Sequence, residues 1–354
     1  MTDVFELTRS LVDIESITGN EAPAATLLFD RLDKIARATG GHAEKMPVEA
    51  NRFNVLASWP DSDATASSKT NAAPVVTLST HIDTVPPFFP SREDATHIWG
   101  RGSCDAKGIV AAMTCAAENL AQAGTRGHAL LFVVGEERNA AGAKAAALAP
   151  RGSRFLINGE PTESKLALGT KGVLRFEVIA RGRAAHSAYP HLGRSAIESL
   201  LDVLDRFRKI PLPVDPLLGA CTMNIGTITG GHAPNVIADF ARAEIMIRLV
   251  ADAAPVRDAF VAAAKSVPHI ELSEVFCSPA IRLESLDGFP TTIVSFASDV
   301  PELSPAWGKP LMFGPGSIHL AHTDEERIAK DELQAAVQTY ESLTRRLIAG
   351  EVAP

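Results

Sequence analysis

Apolar residues recur along the first half of the chain with two alternating periods, one typical of helices and one typical of buried strands. Helical spacing of the apolar positions predicts helices at 4–14, 23–38, 107–123 and 140–149. Short continuous apolar runs predict strands at 54–59, 75–80, 129–134 and 155–158. Strands that alternate with helices are typical of an α/β domain with a mostly parallel sheet.

The pattern changes after about residue 171, where a run of alternating apolar and polar positions predicts a half-exposed strand. Strands are predicted at 173–181, 221–229, 238–250 and 270–275, and helices at 195–209 and 256–266. This order of strand, helix, strand, strand, helix, strand is typical of a ferredoxin-like α+β unit. The α/β pattern then returns and ends in a helix at 330–348. The sequence therefore predicts an α/β domain formed by 1–171 and 282–354, interrupted by an inserted α+β domain at 172–281. A Ser/Ala/Asp-rich stretch at 61–73 is predicted to be a loop.

Length and charge exclude several classes of protein. A chain of 354 residues is long enough for about two domains, and its 46% hydrophobic and 21% charged residues are ordinary for a globular protein. A net charge of −8 and the lack of a basic run argue against nucleic acid or a membrane as partner. No apolar run approaches the ~18 residues that span a bilayer, and the N-terminus does not resemble a signal peptide, so we expect a cytoplasmic location.

Residues of the types that bind metals follow several of the predicted strands. His81 and Asp83 end one strand, Glu136 and Glu137 follow another, and Glu160 follows a third. Asp105 and His322 lie in glycine-containing loops elsewhere in the chain, with His319 three residues before His322 as an alternative. Ligands bind at the carboxyl ends of the strands of open α/β sheets, and a metal pair would offset the cost of burying these carboxylates. Together these residues predict a site for divalent cations.

The motifs that contain these residues resemble those of one known enzyme family. They are HIDT at 81–84, GRGSCDAKG at 100–108, GEE at 135–137, NGEPT at 158–162 and FGPG…AHTDEE at 313–326. The chain is similar, from about Phe5 to about Ile348, to the di-zinc amidohydrolase family of acetylornithine deacetylase, succinyl-diaminopimelate desuccinylase, aminoacylase and glutamate carboxypeptidase. The resemblance implies a zinc-hydrolase-type catalytic domain interrupted by a ferredoxin-like lid and dimerisation domain.

The resemblance also implies the roles of the candidate site residues. Two Zn²⁺ ions per chain are expected, with Co²⁺ as a possible substitute. One ion would be bound by His81 and Glu160 and the other by Glu137 and His322, while Asp105 would bridge both. Glu136 would be the general base, and Asp83 would accept the other N–H of the His81 imidazole. The family pattern favours His322 over His319 as the ligand.

Further residues resemble those that bind substrate in the family. His186, in AAHSAYPHLGRS, would stabilise the tetrahedral oxyanion, and in dimeric members this histidine reaches the site of the neighbouring subunit. Asn235 would lie near the substrate. Arg248, with the Gly314-Pro-Gly316 loop, would bind the substrate carboxylate. The resemblance thus implies a homodimer formed through the lid domain.

These features predict a hydrolase of the amide bond of N-acyl amino acids, similar to acetylornithine deacetylase. A di- or tripeptidase, or a carboxypeptidase, of the same family is the alternative, so the expected substrate is an N-acyl amino acid or a short peptide. Glu160 is a glutamate at a position where aspartate accompanies aminopeptidases in the family. A catalytically silent binding protein is disfavoured by the complete ligand set, and a cysteine hydrolase that uses Cys104 lacks a paired histidine motif.

Overall fold

The computed structural model describes residues 2–60 and 73–351, so nearly all of the loop predicted at 61–73 lies outside the described residues. The helices are α1 Val4–Val12, α2 Ala22–Thr39, α3 Lys107–Gln122, α4 Ala141–Leu148, α5 Ala196–Arg208, α6 Ala253–Lys265, α7 Val300–Trp307 and α8 Lys330–Ile348, with a short 3₁₀ helix at Pro190–Leu192. The strands are β1 His42–Glu49, β2 Arg52–Trp59, β3 Val76–His81, β4 Arg92–Glu93, β5 His97–Trp99, β6 His128–Val133, β7 Phe155–Asn158, β8 Leu166–Thr170, β9 Gly172–Arg181, β10 Ala185–His186, β11 Val214–Asp215, β12 Gly219–Ala220, β13 Thr222–Gly230, β14 Val236–Ile237, β15 Phe240–Leu249, β16 Ile270–Ser278, β17 Ile281–Arg282, β18 Thr291–Val294, β19 Lys309–Met312 and β20 Arg327–Ala329.

The chain divides into two compact units. The first unit contains Met1–Leu168, Leu283–Thr292 and Ser298–Pro354, and the second contains Gly169–Arg282 and Ile293–Ala297. The second unit begins three residues before the predicted insertion at 172–281 and its main segment ends one residue after it.

A six-stranded sheet in the order β1-β2-β6-β3-β7-β19 forms the centre of the first unit. Strands β6, β3, β7 and β19 are parallel to one another, whereas β2 is antiparallel to β6 and β1 is antiparallel to β2. The register pairs His81 with Val133 and Ser79 with Asn158. The parallel strands therefore end at the same edge of the sheet, and the loops that follow them start there.

Helix α3 is buried along almost its whole length, which explains its Ala-rich sequence. It packs between the sheet and the helices α1 and α8, and all of its residues except Asn119 and Gln122 are buried. A helix that is apolar on all sides is typical of such a position. Gly159, directly after β7, allows this close approach, since a Cβ atom there would lie 2.5 Å from Ile109 of α3.

The second unit has the predicted ferredoxin-like topology. Its four-stranded antiparallel sheet has the order β13-β15-β9-β16, and α5 and α6 cover one face. Strand β15 alternates buried and partly exposed residues, as expected for a sheet with one covered face. Phe176, Phe207 and Phe260 stack in the core. The predicted fold class is confirmed. Among the described residues, no helix is long and apolar enough to cross a membrane.

Candidate active site

The first half of the candidate site lies at the end of β3, where His81 is buried. Its Nε2 atom lies 3.0 Å from Oδ1 of Asp105, in the loop before α3. Burial alone would lower the pKa of His81, but its contacts with Asp105 and Asp83 raise that pKa well above its ordinary value. The carboxylates around His81 thus stabilise a positive charge.

The second half of the site contains His322 and Glu137. His322 Nε2 lies 3.0 Å from Oε1 of Glu137 and 3.4 Å from Oδ2 of Asp105. The contacts with Asp105 and Glu137 raise the pKa of His322 to about 10. Burial would raise the pKa of Asp105, but its contacts with His322 and His81 hold it well below the ordinary value. The two oxygens of Asp105 therefore face the two histidines. His319 is in none of the ligand groups found among the described residues.

Glu136 and Glu160 add two further carboxylates to the cluster. Burial is the main cause that raises the pKa of each well above its ordinary value, and the carboxylate of Glu160 adds to the effect on Glu136. Glu160 is buried, and its Oε1 atom has no hydrogen-bond partner in the described part of the chain. Burying such an oxygen without a partner is costly, and a bound cation would remove the cost.

The donor set fits a pair of divalent cations. Three groups of side chains place their donor atoms within 4.8 Å of one another, namely His81, Asp105 and Glu160; Asp105, Glu137 and His322; and His81, Glu136 and Glu137. The first two groups share Asp105 and correspond to the two predicted ligand sets. Carboxylate and imidazole donors are those that Zn²⁺ prefers in catalytic sites.

The structure shows a different role for Asp83 from the one predicted. Nδ1 of His81 lies 3.0 Å from the backbone oxygen of Asp83 and 3.6 Å from its carboxylate, so the backbone carbonyl is the closer acceptor. The Asp83 carboxylate accepts the backbone N–H groups of residues 135, 136 and 137 at 2.9, 3.0 and 3.2 Å, and the Thr18 hydroxyl at 2.7 Å. Asp83 therefore fixes the loop that carries Glu136 and Glu137. Sequence spacing alone could not distinguish the two contacts.

The Gly314-Pro-Gly316 loop is packed differently from the prediction. The N–H of Gly314 donates to Thr162 Oγ1 at 3.0 Å, and the N–H of Gly316 donates to Glu332 Oε2 at 2.7 Å. Both N–H groups thus already have acceptors and are not free for a substrate carboxylate. A Cβ atom at Gly314 would lie 2.4 Å from the backbone oxygen of Glu160, so this glycine permits the close approach of the Glu160 loop.

Several polar residues near the site were not predicted. Asp299, before α7, is buried with neither carboxylate oxygen bonded within the described residues, and burial raises its pKa to about 7. Arg101 and Glu326 form a buried ion pair. Arg101 and Glu326 lie inside the motifs at 100–108 and 313–326, but neither directly follows a predicted strand. Cys104 is buried, and burial raises the pKa of its thiol well above the ordinary value, which disfavours the cysteine-hydrolase alternative.

Of the predicted substrate residues of the second unit, His186 lies on β10, Asn235 lies in the turn directly before the paired strand β14, and Arg248 lies on β15. His186 pairs with Val236, and the backbone N–H of Ser187 donates to the Asn235 oxygen at 2.9 Å, so the segments of His186 and Asn235 are adjacent. His186 is exposed. Arg248 is partly buried near the end of β15, and its side chain has no hydrogen bond or ion pair among the described residues. Burial lowers the pKa of Arg248.

Comparison with known proteins identifies the class of this fold and site. Residues 168–269 match the peptidase dimerisation domain of the M20 peptidases. The chain is 38% identical over 349 residues, 96% of this chain and 84% of the relative, to a peptidase M20 domain-containing protein of Schizosaccharomyces pombe. It is 39% identical over 378 residues, 95% of this chain and 84% of the relative, to a probable carboxypeptidase of Aspergillus terreus.

Solved structures of low sequence identity share the fold. An aminopeptidase PepT from Bacillus cereus superimposes with a TM-score of 0.79 at 19% identity, covering 98% of each chain. An M20 family metallo-carboxypeptidase from Sulfolobus solfataricus has a TM-score of 0.75 at 15% identity, covering 98% of this chain and 99% of that one. The fold and the site define a metallopeptidase-type hydrolase. The chain belongs to the peptidase M20 family, and the predicted family and enzymatic activity are confirmed.

Proposed function

We propose that this chain is a di-zinc carboxypeptidase that hydrolyses the amide bond next to a C-terminal amino acid with a free α-carboxylate. The observation that carries the metal-dependent part of the proposal is the pair of ligand groups that share Asp105. His81, Asp105 and Glu160 would hold one ion, and Asp105, Glu137 and His322 the other. Bound Zn²⁺ ions would polarise the scissile carbonyl and increase the acidity of the attacking water.

Glu136 is the proposed general base. It takes the proton of the attacking water at its carboxylate and later delivers it to the leaving nitrogen. Two features support this role, because Glu136 is not needed for either of the two ligand groups that share Asp105, and its pKa is raised well above the ordinary value by burial. Asp83 holds the Glu136 backbone N–H at 3.0 Å and so positions the base.

Three residues of the second unit are proposed to act on the substrate. His186 donates a hydrogen bond to the developing oxyanion, and Asn235, whose segment pairs with that of His186, contacts the substrate. Arg248 binds the α-carboxylate, because a partly buried arginine without an ion pair among the described residues is suited to an anionic ligand. A homodimer formed through this unit is proposed on the match to the peptidase dimerisation domain.

The named relatives favour a peptide substrate, since those most similar over nearly the whole chain include probable carboxypeptidases. An N-acylated amino acid such as N-acetylornithine stays a second candidate. Both classes carry a free carboxylate beside the scissile amide, which is the feature that Arg248 would recognise. Aminopeptidase activity is not favoured, because its substrates need no such carboxylate.

A matched pair of substrates tests the carboxylate requirement. An N-acylated dipeptide and its C-terminal amide should differ several hundred-fold or more in kcat/KM with the wild-type enzyme, about 3–4 kcal/mol, because the amide leaves the Arg248 guanidinium unpaired. With Arg248→Ala the two substrates should be cleaved at similar, low rates. N-acetylornithine and free-amine dipeptide amides complete the panel. Equal wild-type rates on acid and amide would contradict the proposal, and preferential cleavage of free-amine amides would indicate an aminopeptidase.

A further inference from the structure

Arg101 and Glu326 form a buried ion pair in the first unit, although neither belongs to any ligand group of the candidate metal site. Nη1 of Arg101 lies 2.6 Å from Oε2 of Glu326, and the side chains are 2% and 0% exposed. The attraction within a buried pair seldom exceeds by much the cost of taking both charges out of water. A contribution to protein stability therefore does not explain why this pair is present. Its position in the fold has to explain it.

The other oxygen of Glu326 binds the loop that carries Asp105. Oε1 accepts the backbone N–H groups of Gly102, Cys104 and Asp105 at 2.9, 3.2 and 3.1 Å. One carboxylate oxygen thus fixes three amide groups in the turn that ends at the shared ligand. A shift of this carboxylate would move the Asp105 backbone directly.

Arg101 connects the same pair to the loop that follows His81. Its Nε atom donates to the Pro87 oxygen at 3.2 Å, and its guanidinium lies 4.7 Å from the centre of the Phe89 ring. Its backbone N–H donates to the Phe89 oxygen at 3.2 Å. The ion pair therefore contacts two segments, the loop that follows His81 and the turn that contains Asp105.

The side-chain contacts of Glu326 also anchor the segment that carries His322, four residues earlier in the chain, and the Glu326 backbone adds a contact that side-chain substitution would retain. Its backbone oxygen accepts the N–H of Gly100 at 3.1 Å. His322 has a φ of 63°, a left-handed conformation that residues other than glycine seldom adopt, so the surrounding structure must hold it there. The His322 side chain is itself about half exposed, at 48%.

We propose that the Arg101–Glu326 pair positions Asp105 and His322 for the ion bound by Asp105, Glu137 and His322, called the second ion here. Arg101 and Glu326 are positioning residues, because they would act on the ion only through the ligands Asp105 and His322. The proposal rests on the two-ion site proposed above. Removing one partner of a buried pair also destabilises the fold, so the loss of affinity for the second ion has to be compared with that of a control variant that is destabilised elsewhere.

Chelator competition with Zn²⁺, on purified metal-free protein, measures the affinity of each ion without any activity assay. Glu326→Ala should weaken binding of both ions, because Asp105 is a ligand in both groups. The loss should be larger for the second ion, about 10- to 100-fold, because two of its three ligands depend on the pair. Glu326→Gln keeps an oxygen that can accept the three N–H groups but loses the charge paired with Arg101, so it should lie between wild type and Glu326→Ala. Arg101→Met should also weaken binding of the second ion.

Leu347→Ala is the matched control for a general loss of stability. Leu347 is buried near the end of α8, beside Ile348, which lies near Gly127 at the opposite end of the parallel strands from the site. This variant should lower the melting temperature of the metal-free protein and leave both zinc affinities unchanged. Melting temperatures with and without zinc give a second readout, because weaker binding of the second ion also reduces the rise in melting temperature.

Two-ion binding with wild-type affinities in Glu326→Ala and Arg101→Met, with only a lowered melting temperature as in Leu347→Ala, would overturn the inference and leave the proposed function intact. If Glu326→Ala does not fold, Glu326→Gln and Arg101→Met decide the question in the same way. A wild-type protein that binds at most one zinc ion would overturn the inference and the di-zinc proposal together.

Discussion

At the scale of single residues, the adjacent Glu136 and Glu137 must have different roles. Both follow β6, and Asp83 holds both backbone N–H groups. Only Glu137 contacts His322 at hydrogen-bond distance, and only Glu137 belongs to a ligand group with Asp105. Glu137 can therefore bind a cation, while the carboxylate of Glu136 stays free to carry a proton.

Substitution of the two glutamates by alanine should separate these roles. Glu136→Ala should reduce kcat by about 10²–10⁴-fold, because general-base catalysis is lost, with both metal ions retained. Glu137→Ala should lose metal as well as activity. Metal content by elemental analysis, measured beside kcat on the same samples, provides the check. Identical metal content and rates in the two variants would contradict the assignment.

His128 offers a test of stability that is independent of the metal site. Its ring stacks on Trp59 with centroids 4.8 Å apart, and its Nδ1 is buried without a partner in the described part of the chain. Burial lowers its pKa from 6.5 to about 4. As pH falls below 6.5, the unfolded chain binds a proton that the folded chain does not, so the free energy of unfolding decreases until the pH reaches about 4.

Comparison with a non-titrating variant isolates this contribution. The wild type should lose about 3 kcal/mol more stability than His128→Gln between neutral pH and about pH 4, since each unit of pKa shift corresponds to ~1.4 kcal/mol. Urea denaturation of both proteins at a series of pH values measures the difference. Parallel curves of unfolding free energy against pH would show that His128 does not titrate in this range.

Single residues also show how much of the candidate site could be predicted from the sequence. Position after apolar runs indicates His81, Glu137 and Glu160, whereas Asp105 and His322 lie in glycine-containing loops and are indicated by the resemblance of their motifs to those of a known family. The structure brings these five side chains together. The acceptor used by the His81 ring and the partners of Glu326 depend on distances of a few tenths of an ångström in the folded chain. Spacing along the sequence does not contain that information.

At the scale of elements, the best predictions concern segments with strong periodicity. The last helix, Lys330–Ile348, and the strand Phe155–Asn158 have the predicted bounds. Strand His42–Glu49 was missed because Met46 is its single buried residue, so it lacks an alternating apolar pattern. Helix Val300–Trp307 was missed because it is short and contains Pro305. Both are stabilised by packing against neighbours rather than by their own sequence.

At the start of α4, packing around Gly142 reverses the effect on stability that helix propensity predicts for a glycine-to-alanine substitution. Within a helix, Gly→Ala is ordinarily favourable by about 1 kcal/mol. At Gly142, however, an added Cβ would lie 2.5 Å from Asn54 Oδ1 and from the backbone of Val134. The same contacts hold α4 to the end of β6, since Gly142 donates to the Val134 oxygen at 2.8 Å and accepts from Asn54 at 2.8 Å.

Gly142→Ala should therefore destabilise the protein by about 1–3 kcal/mol, as overpacking of a tight contact usually does. It should also reduce kcat, because Val134 leads directly into the Glu136 loop. Gly226→Ala is the matched control, since a Cβ there would meet no atom closer than 3.7 Å. Denaturation and kcat of both variants provide the measurement. A stabilised Gly142→Ala variant would show that the helix can move without cost.

At the scale of the whole molecule, the second unit is the one through which we propose that two copies associate. The second unit matches a peptidase dimerisation domain, and β13 is an edge strand of its sheet. Ile228 on β13 and Ile197 and Leu201 on the neighbouring helix α5 are exposed. An unpaired strand edge beside apolar side chains is a surface that a two-fold dimer would cover. We expect Ile228→Lys to weaken the dimer, measured by sedimentation. The opposite edge strand β16 also has exposed apolar side chains, Val275 and Phe276, so a dimer that is weakened by Val275→Lys and not by Ile228→Lys would contradict the assignment to β13.

A mixing experiment tests whether His186 acts on the site of the partner. His186→Ala and Glu136→Ala should each be nearly inactive alone, since one lacks the proposed oxyanion donor and the other the proposed base. In a mixed dimer, one site receives an intact Glu136 from one chain and an intact His186 from the other. Random exchange should then restore about one quarter of the wild-type activity, because half of the dimers are mixed and each has one complete site. Addition of Ile228→Lys to both chains should abolish the recovery if it depends on the dimer. Mixed dimers that form without any recovery would mean that His186 serves its own chain.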